Sequence, residues 1–145
     1  MESSPLTPAD LKLLDSAAAT LRSGGEVRLL VRGRSMLPAL RPETDEVVLR
    51  RAGVYRRADI VLARVSPSRY VLHRIIAVDG RGRVTLMGDG NLRQREECAV
   101  ADIAGRVVAV SRGGLMYVPS ALRGRVWMWL RPLRPLLVRL MPSFR

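Results

Sequence analysis

Three short segments hold residue types whose placement can do chemistry. Ser35 stands in Gly33-Arg34-Ser35-Met36-Leu37-Pro38, just after a predicted strand, beside a glycine and ahead of a proline-fixed turn. A nucleophile needs its backbone controlled in this way, and neighbouring amides can stabilise an oxyanion. A serine in an ordinary turn fits the same residues. His73 lies in Val71-Leu72-His73-Arg74-Ile75-Ile76, the strongest strand pattern of the chain. Val71, His73 and Ile75 point to one side of that strand, and Leu72, Arg74 and Ile76 to the other. The imidazole is either a half-buried side chain with its hydrogen bonds satisfied or a neutral general base. Asp89, in Gly88-Asp89-Gly90-Asn91 after the next strand, either orients an imidazole or makes an Asx turn.

Composition narrows the choice of base. Of 25 basic residues only Lys12 is a lysine, and arginine stays protonated. A lysine mechanism therefore has Lys12 or nothing, and a histidine mechanism has His73, the sole histidine. One cysteine, Cys98, excludes an internal disulfide and, with one histidine, leaves a zinc site almost without ligands. Neither a Rossmann glycine fingerprint nor a P-loop is present, so no cofactor and no metal is expected.

The elements that must position these residues are legible in outline. A chain of 145 residues, 48% apolar and 26% charged, suits one domain with a real core. Thr7-Pro8-Ala9-Asp10 signals a helix start, Leu11, Leu14, Ala18 and Leu21 share a face, and Gly24 is a stop, which predicts a helix over 8–22. Short valine- and isoleucine-rich runs predict strands at 27–32, 46–50, 60–65, 69–77, 83–87 and 105–111. The expected fold is mainly β: a small, partly closed antiparallel barrel, with an N-terminal helical segment (1–24), a β domain (25–118) and a basic amphipathic tail (119–145).

That tail carries much of the net charge of +12, since 103–145 holds eight arginines and no acid. Leu133, Leu136, Leu137 and Leu140 are expected on one helical face and Arg131, Arg134 and Arg139 on the other, with Trp127 and Trp129 ahead of them. No stretch is long and apolar enough to predict a membrane span. The expected partner of 120–145 is instead an anionic membrane surface, the alternative being a terminal helix packed on the domain or on a partner with its arginines in solvent. Nucleic acid is disfavoured, because no stacking motif accompanies the arginines.

Together the segments resemble the signal peptidase/LexA-like superfamily of serine endopeptidases. The resemblance rests on Gly33–Leu40, Asp45-Glu46-Val47-Val48, Ala58-Asp59-Ile60-Val61, Val71–Ile76, Gly88-Asp89-Gly90-Asn91 and Gly105-Arg106-Val107-Val108, in the family's order, over residues 27–110. It implies Ser35 as nucleophile, His73 as a base of the histidine type, and Asp89 as the aspartate of a Gly-Asp-Asn box. A further acid usually holds the histidine; Asp102 is the candidate, with Glu96 and Glu97 behind it. Arg34, Met36 and Leu37 are the expected substrate contacts. Gly90 interrupts the box, Thr44 and Ala58 replace two glycines, and the family's N-terminal membrane anchor is expected to be missing. The implied activity is hydrolysis of a peptide bond in an extended protein or peptide substrate with small residues near the cut. A member that binds peptides without cutting them is the alternative. The superfamily's membrane forms act on the outer face, but the sequence shows no signal for getting there, so the expected location is the cytoplasm, with the tail on the inner face of the cell membrane.

Overall fold

A computed structural model describes residues 6–140. The expected loose N-terminal start and the end of the tail, 141–145, lie outside the described residues.

Helix α1 spans Pro8–Arg22. The Thr7 hydroxyl accepts the Asp10 N–H at 3.1 Å, and the Asp10 carboxylate accepts the Thr7 N–H at 3.1 Å, which satisfies two amides the helix start leaves open. Gly24, at φ +88°, turns the chain out of the helix in a conformation glycine adopts without strain. Ala17, Ala18 and Leu21 are buried, and the Tyr70 hydroxyl donates to Asp15 at 2.6 Å, tying the helix to the sheet.

Eight strands follow: β1 (Glu26–Leu30), β2 (Asp45–Arg50), β3 (Ile60–Ser66), β4 (Arg69–Val78), β5 (Arg83–Met87), β6 (Glu96–Ala99), β7 (Ile103–Arg112) and β8 (Leu115–Tyr117). All pairings are antiparallel, in the order β1-β2-β7-β3-β4-β5-β6, with β8 beside the outer part of β7. Alternation divides the side chains between two faces. On one face Ile60, Leu62, Val47, Leu49, Val107 and Val110 pack with α1 and with Met36 and Leu40. On the other, Val61, Ala63, Val71, Ile75, Val84, Leu86 and Cys98 form a second core. His73 lies opposite Val61 and so belongs to the second face.

The sheet is open, which corrects the expected barrel. β1 and β6 stand at the two ends of the strand order without a further partner among the described residues. β6 has only four residues. β1 is charged on its outer side, where Glu26 binds Arg50 at 2.6 Å and Arg28 faces Glu46 at 3.7 Å. β6 is short and the exposed Glu26 and Arg28 of β1 are charged, so the two ends have no shared apolar surface through which to close on each other, and they do not meet. The chain is a mixed α/β fold, with an open antiparallel sheet and three short helices among the described residues. The assignment to the signal peptidase/LexA-like superfamily, which implied a barrel, is overturned with it.

The tail also differs from the expected amphipathic segment. α2 (Ala121–Trp129) and α3 (Arg134–Leu140) are short, with Trp127 and Met128 buried. Arg134 is buried and Arg131 half-buried, while Arg139, Leu133, Leu136 and Leu140 are exposed, so the leucines and arginines do not divide into two opposite faces. Proline at 132 and 135 breaks the single helical period on which that expectation rested. No described helix is long and apolar enough to cross a membrane, and the arginine face on which the expected membrane association depended is not formed as such.

Candidate active site

The loop after β1 carries Ser35, and its base is closed by the backbone. Val31 N–H donates to Asp45 O and Glu43 N–H donates to Val31 O, both at 2.8 Å. The fully buried Asp45 carboxylate accepts from Arg112 Nε and Nη2 at 2.7 Å each and from the Arg41 N–H at 2.8 Å. These charges hold the Asp45 carboxyl below its usual range, against burial, the largest single influence on it. Gly33, at φ +73°, makes the turn into the loop. Val31 before it and Met36, Leu37 and Leu40 after it are buried, which anchors the backbone on both sides of a half-buried Ser35.

His73 Nε2 lies 3.0 Å from Ser35 Oγ, and His73 Nδ1 lies 2.8 Å from Glu96 Oε2. Sheet register explains the second contact. Ile75 pairs with Leu86, Leu86 pairs with Glu96, and His73 shares the face of Ile75 two residues on. Glu96 thus reaches His73 across the end of β5. The residue that would continue the register opposite His73 is Gly88, which puts no side chain in the way.

Glu96 and His73 are both buried. Burial pushes the Glu96 carboxyl up, but the His73 hydrogen bond and the charges of His73 and Arg69 together hold it below its ordinary value of 4.5. Arg69 Nη2 touches the other Glu96 oxygen at 3.3 Å. An ionised carboxylate at Nδ1 requires the proton there, so Nε2 is the acceptor for the Ser35 hydroxyl.

The turn Gly88–Asn91 fixes Ser35 from a second direction. Gly90 N–H donates to Ser35 O at 2.8 Å and Asp89 N–H donates to the Met36 sulfur at 3.4 Å. A Cβ on Gly88 would lie 2.9 Å from Asn91 Nδ2, 3.0 Å from Ser35 Cβ and hard against Ser35 O, so this approach requires glycine. Arg74, one residue from His73 and on the opposite face, holds Asp89 with two bonds of 2.8 Å and donates to Ala58 O at 2.7 Å. The Trp127 indole N–H donates to Asp89 O at 2.8 Å, and Gly124 lets α2 lie against the Arg74 guanidinium.

The expected site residues therefore separate. Ser35 and His73 meet. The carboxylate on His73 is Glu96, not Asp89, which pairs with Arg74, and not Asp102, which accepts the Ala99 N–H at 2.9 Å. Met36 and Leu37 face the interior and present nothing to an approaching peptide; Arg34 is half-buried. Arg74 and Arg69 carried no sequence signal of their role, beyond the adjacency of Arg74 to the sole histidine. Cys98 is buried, which pushes its thiol up to about 11, with Asp102 adding to the effect, and leaves it a poor nucleophile. Among the described residues no group of three or more His, Cys, Asp and Glu side chains is placed to hold a metal ion.

Set against known proteins, the chain matches no family model and no curated protein.

Proposed function

We propose that the protein is a serine endopeptidase in which Ser35 is the nucleophile, His73 the general base and Glu96 the group that orients it. The observation that carries this reading is the line Ser35 Oγ, His73, Glu96, with hydrogen bonds of 3.0 and 2.8 Å. Its three members come from three separate parts of the chain, which sets it apart from the local bonds a turn serine makes.

His73 Nε2 takes the Ser35 proton as Oγ attacks the carbonyl carbon of the substrate. Glu96 steadies the imidazolium that forms and keeps its other proton on Nδ1. The Ser35 amide serves as the oxyanion donor in this reading. The imidazolium then protonates the leaving amine, and water, deprotonated by His73, releases the acyl group from Ser35. A peptide is the favoured substrate because β1 ends five residues before Ser35 with its outer edge unpaired, and such an edge can take an extended chain as a further strand.

Ser35→Ala is expected to abolish cleavage of a peptide library read by mass spectrometry and to leave the melting temperature unchanged. Cleavage retained by that variant would overturn Ser35 as nucleophile.

A further inference from the structure

The outward side of the C-terminal helices carries apolar side chains that the fold leaves uncovered. Leu122, Val126, Trp129, Leu133, Leu136 and Leu140 are all exposed, Leu122 at 70% and Trp129 at 79%. Exposed leucines scattered singly are ordinary on a protein surface, but a row of six apolar residues is not. They follow one another at intervals of four, three, four, three and four residues. That alternation is the spacing of a heptad seam, the narrow line along which one helix receives another.

The row holds across the break between the helices. In α2, Leu122, Val126 and Trp129 lie opposite the buried Gly124, Trp127 and Met128. In α3, Leu136 and Leu140 turn away from the buried Arg134. A 3-10 turn at Arg131–Leu133 joins the two helices. Across it, Arg134 Nη2 contacts Trp127 O at 3.5 Å, and its guanidinium lies 5.5 Å from the Trp127 ring centre. The two inward sides are therefore held together, and the outward sides continue one another.

Charge marks the borders of the row. Arg123, Arg125 and Arg139 are exposed. At the helical period Arg123 flanks one side of the row, and Arg125 and Arg139 flank the other. No acid follows Asp102 anywhere in the chain, so the borders carry a single sign.

These observations separate the occupants such a face could take. A second copy would set arginine against arginine along both borders, and like charges there repel. A lipid surface calls for a broad apolar face, whereas this one is narrow and its helix is packed on the domain behind it. A helix with its own apolar seam and acids beside it satisfies both the spacing and the charge.

We propose that the outward face of α2 and α3 docks an amphipathic helix of another protein, apolar along its seam and acidic along its flanks. Trp129 is the anchor, because a large aromatic ring near the middle of such a contact contributes most to binding. The inference is independent of the peptidase reading.

The test uses the whole chain and three labelled synthetic peptides of about three heptads each. One has a leucine seam flanked by glutamates, the second has the same seam flanked by lysines, and the third shuffles the glutamate peptide so that charge stays and the seam is lost. By fluorescence anisotropy, the glutamate helix is expected to bind about tenfold tighter than either of the others. Trp129→Ser with Leu133→Ser should weaken that binding about tenfold and leave the melting temperature unchanged, since both side chains stand in solvent. Arg123→Glu, Arg125→Glu and Arg139→Glu together should turn the preference to the lysine helix. Equal binding of the shuffled peptide would overturn the seam, and equal binding of the lysine helix would overturn the acidic partner. Undiminished binding in the Trp129→Ser, Leu133→Ser variant would overturn the placement on this face. Wild-type chain that ignores all three peptides but self-associates in sedimentation velocity, or co-sediments with phosphatidylglycerol vesicles, would overturn the helix in favour of a second copy or a lipid surface.

Discussion

Glu96 and Asp102 are both acids on or beside the edge strand β6, yet only Glu96 reaches the histidine. The difference has a kinetic consequence. Glu96→Gln keeps the shape but removes the charge that fixes the His73 tautomer, so kcat should fall by about 10²-fold or more, as expected when the orienting carboxylate of such a site is neutralised. Asp102→Asn should leave turnover unchanged, and steady-state kinetics on one peptide separates the two. Stability follows from the same group. The folded carboxyl titrates below its ordinary value of 4.5, so its ionisation stabilises the fold fully above that pH. The contribution fades as pH falls through the lowered folded value. In urea unfolding, the stability gap between wild type and Glu96→Gln should be widest near neutrality and close toward the acid end. A gap that is constant with pH would mean that Glu96 is not coupled to folding in this way.

At the scale of elements, the Gly88–Asn91 turn decides whether Ser35 is in register with His73. Gly88→Ala should force the turn away from Ser35, costing about 1–3 kcal/mol of stability by overpacking. A displacement of the order of 1 Å at the nucleophile should also lower kcat by about 10²-fold. Thermal melts and turnover measured together would show whether both effects occur. The same scale explains what the sequence could reveal. α1 was legible because its cap, its proline and its apolar spacing agree, and the predicted strands lie close to those found. β6 was not legible. Its residues, Glu96-Glu97-Cys98-Ala99, look polar because the inward positions are filled by the acid of the site and a cysteine. The buried carboxylate of Glu96 breaks the apolar alternation that marks a strand, so β6 carries no strand signal, while Asp89 and Asp102 sit where the resemblance implies an acid. The apolar period of the tail misled for a related reason: a single helical wheel cannot anticipate a buried arginine between two prolines.

At the scale of the whole molecule, the C-terminal helices and the central sheet meet at Asp89. Arg74 holds its carboxylate from β4 and Trp127 holds its carbonyl from α2. Trp127→Phe keeps an aromatic ring, smaller than the indole, and deletes the donor, which leaves a buried carbonyl short of its bond and a small void beside it. Unfolding in urea should show a loss of about 1–3 kcal/mol, and kcat should drop with KM little changed, because the loosened turn carries Ser35. No change in either quantity would mean that α2 does not support the site. The strand order corrects the barrel that the resemblance implied: Ser35 and His73 meet here on an open sheet. The link through Trp127 has a meaning in time as well. Ser35, His73 and Glu96 have all been synthesised well before residue 127 is added. A nascent chain therefore carries every reacting group while the turn behind its serine is still unclamped. On the proposed peptidase reading, cleavage should therefore arrive only once α2 has docked, after the sheet has formed.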